Sequence, residues 1–255
     1  MTNPFSRLLA RPLHRCLLLW LVVLAALAIA VTNAPALHLL GSEPVRMFPA
    51  SGPLRAGRPR LAAVFLSGDM GFNFGMSAHI AQAVADRGIP VVGISSPVVF
   101  ARHHSRGEAQ AVVAGAIRLA LSRTGAERIL LMGQSYGADI IATAAPDLPP
   151  DLRARILAID LTVPAQDVYF RADPSTLAYL GTPDARPLQA LRAVRWAPVV
   201  CVYGREETDS LCPGMTGSGA RVIGLPGNHH LDHDRAGVIA ATLGALRAAV
   251  PEAEI

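Results

Sequence analysis

Apolar and amphipathic stretches alternate along most of this chain. Short apolar runs bounded by Gly, Pro or polar residues are typical of buried strands. Runs of this kind predict strands over residues 45–48, 61–66, 89–94, 128–132, 156–161, 199–203 and 221–225. Amphipathic spacing predicts helices between them, over about 75–87, 105–125, 136–145 and 235–250.

Local signals support these helices and the way they connect the strands. Ser105 and Glu108 have the spacing of a capping box, and Gly125 stands where a helix would end. Strands and helices that alternate in this way predict an α/β domain over residues 61–255, with an open, mostly parallel sheet and helices on both faces. Ligands of such sheets bind beyond the carboxyl ends of the strands, so residues that directly follow a strand are the candidates for chemistry.

The N-terminus has a different pattern. An uninterrupted apolar run covers residues 16–31, and residues 34–36 offer small side chains at a possible cleavage site. Three arginines precede the run: Arg7, Arg11 and Arg15. Residues 1–36 therefore predict a signal peptide or a membrane anchor, and residues 37–60 a linker that carries the first short strand. Either form places the domain in the periplasm, exported or tethered to the inner membrane, because the basic flank stays in the cytoplasm.

Composition narrows the possible classes of protein. The 255 residues are 51% hydrophobic and 16% charged, which excludes a disordered protein. The formal net charge of +4 comes from 23 arginines and no lysine. The chain is nearly neutral once the three N-terminal arginines are set aside, and it has no basic run. We therefore expect no nucleic-acid partner.

The predicted compartment indicates the oxidation state of the three cysteines. Cys16 lies in the leader, which leaves Cys201 and Cys212 in an oxidising environment. We expect a disulfide between these two, and a pair of buried thiols is the alternative.

The strand at 128–132 runs into Gly133-Gln134-Ser135-Tyr136-Gly137. A G-x-S-x-G sequence between a strand and a helix is typical of a nucleophile turn, which lifts the Ser hydroxyl above the sheet edge. Ser135 is therefore the candidate nucleophile, and the Tyr136 amide a candidate donor to an oxyanion. A glycine-rich turn with a capping Ser is the alternative.

A second oxyanion donor is expected from the turn after the strand at 61–66. Its sequence is Ser67-Gly68-Asp69-Met70-Gly71, and the amide of Asp69 or Met70 is the candidate. A phosphate-binding loop is the alternative, but the segment lacks the Lys and the spacing of a P-loop.

A nucleophilic Ser needs a base, and the base needs an orienting acid. Hydrolases built on this turn have the order Ser, acid, His along the chain. After the strand at 199–203, Asp209 is the expected acid, Glu206 is the second choice, and Glu207 is expected to be solvated.

The base is expected after the strand at 221–225, in the segment 227–234. We expect His229 to be the base and His230 to pack or to contact substrate. A zinc site is the alternative for this segment, since His229, His230, Asp232, His233 and Asp234 include ligand types of zinc. The Ser turn already accounts for a His at this strand end, so we expect neither a metal nor another cofactor.

These segments together resemble the bacterial virulence protein family VirJ/AcvB, whose members have the α/β-hydrolase fold. The resemblance covers about residues 60–250, and the segments around 209–213 and 227–234 carry it more specifically than G-x-S-x-G. The chain is more similar to the short VirJ form, because it lacks the additional N-terminal domain of AcvB-type proteins. The resemblance implies a periplasmic location. For AcvB-like members it implies hydrolysis of lysyl-phosphatidylglycerol at the inner membrane, and for VirJ a link to type IV secretion.

The function expected from the residues is hydrolysis of a lipid or small-molecule ester through an acyl-enzyme, and the resemblance implies aminoacyl phosphatidylglycerol as the preferred substrate. Glu206, His230 and Asp232 are candidate substrate contacts, and the two acids among them could select the cationic aminoacyl group. The segment between Pro164 and Trp196 is expected to form either a partial cap or an ordinary excursion of the fold. A non-catalytic factor that docks on secretion-system proteins is the alternative function.

Overall fold

The computed structural model describes residues 5–51 and 60–251. Its strands are β1 (Val45–Phe48), β2 (Leu61–Leu66), β3 (Val91–Ile94), β4 (Arg128–Gln134), β5 (Ile156–Thr162), β6 (Val199–Gly204) and β7 (Arg221–Leu225). Its helices are α1 (Phe5–Thr32), α2 (Ser77–Ala85), α3 (Ser96–Val99), α4 (Arg106–Thr124), α5 (Tyr136–Ala144), α6 (Pro150–Arg153), α7 (Leu188–Arg192) and α8 (Arg235–Ala249). Short 3₁₀ turns occur at Ala145–Asp147, Leu177–Leu180, Cys212–Met215 and Leu231–His233.

The seven strands form one sheet in the order β1-β3-β2-β4-β5-β6-β7. Every neighbouring pair is parallel except β1 with β3, which confirms the expected α/β class. The register aligns Leu66 with Gly133, and Gln134 with Thr162. The loops that leave β2, β4 and β5 therefore start from the same edge of the sheet.

Apolar side chains cover both faces of the sheet, which is why the central strand β2 is apolar at every position. Ala62, Val64 and Leu66 contribute to one buried cluster, whereas Ala63 and Phe65 contribute to the other. Helix α4 packs on the first face through Val113 and Ile117, and α8 on the second through Val238 and Leu246. Alternate burial of this kind fixes the register, because a slip of one residue would exchange the two faces.

The predicted helix starts and stops agree with the structure. Ser105 and Glu108 form a reciprocal capping box, and Gly125 ends α4 in the left-handed conformation. The strand expected in the linker is β1, and it belongs to the sheet as an antiparallel edge strand. Part of the linker, residues 52–59, lies outside the described residues.

The N-terminal helix α1 does not pack in the domain. Its stretch Arg15–Thr32 is long and apolar enough to span a membrane, and none of it is buried. The chain then turns through residues 33–40, where Leu40 is buried. The apolar helix at the N-terminus agrees with the expected signal peptide or anchor.

The segment between Pro164 and Trp196 crosses the carboxyl edge of the sheet. Val168 pairs with Ala185 in an isolated bridge, and Phe170 is buried in the core. The tip of the segment is the 3₁₀ turn Leu177–Leu180, in which Leu177 and Leu180 are exposed. This excursion is tied to the core at its base and open to solvent at its tip.

A disulfide joins Cys201 on β6 to Cys212, as the sequence predicts. Both cysteines are fully buried. The bond closes a loop that starts within β6 and contains Glu206, Glu207 and Asp209.

Candidate active site

Ser135 occupies the corner between β4 and α5. Its φ of 52° and ψ of −125° are unfavourable for a residue with a side chain. The corner is held from both sides, because the Ser135 amide donates to the Thr162 carbonyl at 2.8 Å and the Asp139 amide donates to the Ser135 carbonyl at 3.1 Å. The backbone therefore holds the Ser135 side chain at the carboxyl edge of the sheet.

The glycines on either side of Ser135 are required by close packing of the backbone. A Cβ at Gly133 would lie 2.7 Å from the amide nitrogen of Ala138. A Cβ at Gly137 would lie 2.2 Å from the carbonyl oxygen of Leu66. Both distances are shorter than any real contact, so a side chain at either position would force the corner apart.

His229 meets Ser135 across this edge. Its Nε2 lies 2.9 Å from the Ser135 Oγ, within hydrogen-bond distance. His229 lies on the loop that follows β7, and Gly227, with φ of +85°, lets the chain turn at the start of that loop. Of the two neighbouring histidines, the structure brings His229 to the hydroxyl.

The carboxylate beside His229 is Glu207, with its Oε1 2.5 Å from the His229 Nδ1. The expectation that Asp209 orients this ring is therefore wrong, and so is the expectation that Glu207 is solvated. The Glu207 side chain is only 2% exposed.

The chain path after β6 explains why Glu207 takes this position. It turns at once, with the Glu206 amide bound to the Gly227 carbonyl and the Glu207 amide to the Gly204 carbonyl, each at 3.0 Å. This tight turn places the third residue after the strand beneath the imidazole. Asp209 comes two residues later, is exposed, and lines the cavity in front of the site.

The loop after β2 lies directly beside Ser135. A Cβ on Gly68 would lie 3.5 Å from the Ser135 Cβ, so the two backbones are in close contact here. Within the described part of the chain, the amides of Tyr136 and Met70 donate to no protein acceptor. The amide of Asp69 interacts with its own carboxylate. Tyr136 and Met70 are therefore the better placed of the three expected donors.

Two side chains that sequence reasoning missed fix this loop. Ser77, at the start of α2, accepts a hydrogen bond from the Gly68 amide at 3.0 Å and donates to the Gln134 Oε1 at 2.7 Å. Gln134 is the variable position directly before Ser135. The G-x-S-x-G motif already included Gln134, but nothing in the sequence pointed to Ser77 as its hydrogen-bond partner.

A cavity of about 1310 Å³ opens in front of Ser135 and His229. Its carboxylates are Asp69, Asp139, Asp167 and Asp209, and its arginines are Arg186 and Arg235. Arg186 is paired with Asp167 at 2.7 Å. The cavity therefore has an excess of acidic groups close to the reacting atoms.

Enclosure changes the proton affinity of these groups. Desolvation raises the pKa of Asp69 and, more strongly, that of Asp139, against the opposing effect of His229. For His229, desolvation lowers the pKa, but the hydrogen bond and the charge of Glu207, with help from Asp139 and Asp209, outweigh it and leave the pKa raised. The imidazolium form is thus stabilised in this site.

The three expected substrate contacts lie in different places. His230 lines the cavity, with its ring 5.8 Å from that of His229. Neither Glu206 nor Asp232 is among the described residues that line the cavity. Glu206 is exposed. Asp232 packs so closely against Gly227 that a Cβ on Gly227 would lie 2.3 Å from the Asp232 Oδ1. The structure therefore does not bring these two acids to the cavity in front of Ser135, where we expected them to contact substrate.

The side chains of the segment 227–234 are not arranged as a zinc site. In the ranges 5–51 and 60–251, no group of three or more His, Cys, Asp or Glu side chains is placed to hold a metal ion. Both ring nitrogens of His229 are engaged, one by Ser135 and the other by Glu207.

A family model described as "VirJ: Bacterial virulence protein (VirJ)" matches residues 60–250, which is most of the chain. The chain belongs to this family. No curated protein matches the chain. The match covers strands β2 to β7 and every side chain of the candidate site.

Solved structures agree on the fold of this VirJ family member. Est1E from Butyrivibrio proteoclasticus is 14% identical, with a TM-score of 0.55, covering 83% of this chain and 93% of Est1E. XC6422 from Xanthomonas campestris, described as an a/b serine hydrolase without lid, is 14% identical, with a TM-score of 0.55 over 81% and 89% of the two chains. A proline iminopeptidase from Mycobacterium smegmatis is 14% identical, with a TM-score of 0.53 over 80% and 95%. The chain therefore has the α/β-hydrolase fold.

Proposed function

We propose that this protein is a periplasmic serine hydrolase that cleaves an ester through Ser135, His229 and Glu207. The observation that carries the proposal is the continuous hydrogen-bonded chain from the Ser135 Oγ through the His229 ring to Glu207. A hydroxyl, an imidazole and a carboxylate in this order are the parts of an acyl-transfer site, whatever the fold. The esterases and serine hydrolases among the similar structures support the same reaction class.

The reaction follows from this geometry. The His229 Nε2 takes the proton of the Ser135 hydroxyl as the oxygen attacks the ester carbonyl carbon, while Glu207 holds the Nδ1–H and stabilises the imidazolium. The amides of Tyr136 and Met70 would donate to the oxyanion, and the N-terminus of α5 adds favourable charge there. The intermediate collapses as His229 passes the proton to the leaving alcohol. Water, activated by His229, then releases the acid and restores Ser135.

The acidic cavity supports an aminoacyl ester as the substrate. An ammonium group near Asp69 or Asp139 would stabilise their ionised forms, which desolvation otherwise disfavours. Lysyl-phosphatidylglycerol carries two such ammonium groups on the acyl side of the ester. Hydrolysis would release lysine and return phosphatidylglycerol to the membrane, with no cofactor.

Export supports the same proposal. The apolar helix α1 and the Cys201–Cys212 disulfide fit a protein that works outside the cytoplasm. Phosphatidylglycerol esters at the inner membrane would be within reach of a domain that is exported there.

A fluorophosphonate probe tests the nucleophile, because it modifies a Ser only when a neighbouring base activates it. We expect the wild-type protein to take up the probe and the S135A variant to take up none. A folded wild-type protein that resists the probe would leave only the alternative, a docking factor for secretion proteins, which the family description also fits.

The substrate needs a separate test. Purified wild-type and S135A proteins should be incubated with vesicles that contain lysyl-phosphatidylglycerol, and the released lysine measured. We expect release by the wild-type protein alone. Probe uptake without lysine release would retain the hydrolase and reject this substrate.

A further inference from the structure

The exposed apolar side chains of the domain are concentrated on a few neighbouring loops. Outside α1, the large exposed apolar residues of the described chain are Leu37, Leu39, Met47, Met70, Phe74, Leu177 and Leu180. All but Met47 lie on three segments: the turn after α1, the loop after β2, and the tip of the 164–196 excursion. We call these six side chains the apolar rim.

The two loops that carry most of the rim form the mouth of the cavity. Met70, Phe74, Thr176 and Tyr179 line it, and the Tyr179 hydroxyl donates to the Asp69 Oδ2 at 3.4 Å. That hydrogen bond joins the loop after β2 to the excursion tip. Two rim side chains, Met70 and Phe74, therefore line the cavity that leads to Ser135, and Leu177 and Leu180 flank lining residues at the excursion tip.

Contacts with α1 and the turn after it tie the loops of the rim to the helix that is long and apolar enough to span a membrane. The Arg171 Nη2 donates to the Thr32 carbonyl at 3.1 Å, which satisfies one of the open carbonyls at the end of this helix. Arg171 follows the buried Phe170, so its backbone is held by the core. On the other loop, the Asn73 Nδ2 donates to the Leu40 carbonyl at 3.1 Å.

The length of the span sets the depth of these contacts. The 18 residues from Arg15 to Thr32 make a helix of about 27 Å, close to the thickness of the hydrocarbon core. Thr32 then lies where the hydrocarbon meets the lipid headgroups, and the loops bound to residues 32–40 lie at the same depth. Exposed apolar side chains at that depth lose contact with water by entering the interface.

We propose that α1 remains attached as an anchor and that the apolar rim docks on the outer surface of the inner membrane, so that the cavity opens onto the lipid headgroups. The partner is the bilayer itself. A lipid ester could then reach Ser135 without leaving the membrane. The proposal relies on the proposed function only for what enters the cavity; the docking does not depend on turnover.

The test uses the full-length protein in nanodiscs of phosphatidylethanolamine and phosphatidylglycerol. Cys16 is replaced by Ser, and one environment-sensitive fluorophore is attached at F74C or L180C. The matched control is S122C, because Ser122 is exposed in the last turn of α4, where the chain approaches the opposite edge of the sheet. Nanodiscs with and without nitroxide-labelled lipid are compared, and unchanged thermal unfolding shows that each variant is folded.

We expect nitroxide lipid to quench the labels at positions 74 and 180 and to leave the label at 122 unchanged. The double variant L177Q/L180Q should lose quenching at position 74 without a change in thermal unfolding. Labels at 74 and 180 that behave like the label at 122 would overturn the proposal. Equal quenching at all three positions, or an intact mass that shows loss of residues 1–36, would also overturn it. Because no readout here is hydrolysis, these results stay separate from those of the probe and lysine experiments.

Discussion

The Ser135 Oγ and the His229 Nε2 lie 2.9 Å apart although the two residues are 94 positions apart in the chain. Ser135 follows β4 and His229 follows β7, and the parallel order of the sheet brings both loops to one edge. The distance is that of a hydrogen bond ready for proton transfer. The predictions below test the groups that hold this pair and the sheet beneath it.

The first prediction separates the two candidate acids. The E207Q variant should lower kcat for a water-soluble ester by about 10³–10⁴-fold, because Gln stabilises the imidazolium poorly and can select the wrong tautomer of His229. The matched variant D209N should change kcat less than about tenfold, since Asp209 is exposed and does not contact the ring. Steady-state kinetics on both variants decides the point, and a larger loss in D209N would restore the acid expected from sequence.

The second prediction concerns pH. His229 must be neutral to accept the Ser135 proton, and its pKa is raised in the folded protein. The acidic limb of kcat/KM should therefore lie above the ordinary pKa of His, with activity increasing as pH rises through it. In E207Q the limb should move to lower pH, because the group that raises the pKa is neutral. An unchanged limb in E207Q would assign it to another group.

The third prediction tests the support of the loop after β2. The S77A variant removes the acceptor of the Gly68 amide and the donor to Gln134. We expect kcat to fall by about tenfold with little change in KM, because the loss affects the placement of an oxyanion donor, and removing a donor outright costs about 10²–10³-fold. S77T keeps the hydroxyl and serves as the control. A change in KM alone would show that Ser77 acts on substrate binding instead.

The fourth prediction concerns the disulfide. The C201S/C212S variant should lower the free energy of unfolding by about 2–3 kcal/mol, as expected for a short closed loop. It should also lower kcat, because the closed loop holds Glu207. Chemical unfolding with and without reductant, compared with non-reducing mass spectrometry, tests both effects. Two free thiols in protein taken from the periplasm would contradict the bond itself.

The fifth prediction uses a buried acid in the sheet. Desolvation raises the pKa of Asp160 to about 7, and its Oδ1 has no partner within the described residues. The folded state therefore binds a proton that the unfolded state has released between about pH 4 and pH 7, so stability falls as pH rises through that range. D160N should raise the free energy of unfolding at pH 8, by on the order of 2–4 kcal/mol, and change it little at pH 3.5. Equal effects at the two pH values would exclude this origin.

The chain pattern predicts most of the fold because apolar runs and turn residues coincide with the strand ends. The strand predicted at 45–48 is present as β1, and the ends of α4 follow from Ser105 and Gly125. The order of Ser, acid and His likewise pointed to His229, since the residues after each strand must meet at one edge.

The acid and the substrate contacts could not be found in this way. Three acids lie within five positions after β6, and only the tight turn, set by two backbone hydrogen bonds, selects Glu207. The position of Asp232 was equally unpredictable, because it depends on the local turn that holds its side chain against Gly227. Sequence spacing gives the loop on which a side chain lies, whereas the direction of that side chain depends on backbone angles that the pattern does not encode.

Gly204 has a further consequence for the site. A Cβ at this position would lie 2.1 Å from the Asn228 carbonyl oxygen, so the loops after β6 and β7 touch backbone to backbone. The acid and the base therefore form one closely packed half of the proposed catalytic centre, and the hydroxyl with its amides forms the other half across β5. The base of the 164–196 excursion is tied to the acid's half, since Gln166 and Leu211 bond across to Asp209 and Pro164. Substrate preference could instead be changed at Pro174 and Thr176, which line the cavity near the tip of the excursion.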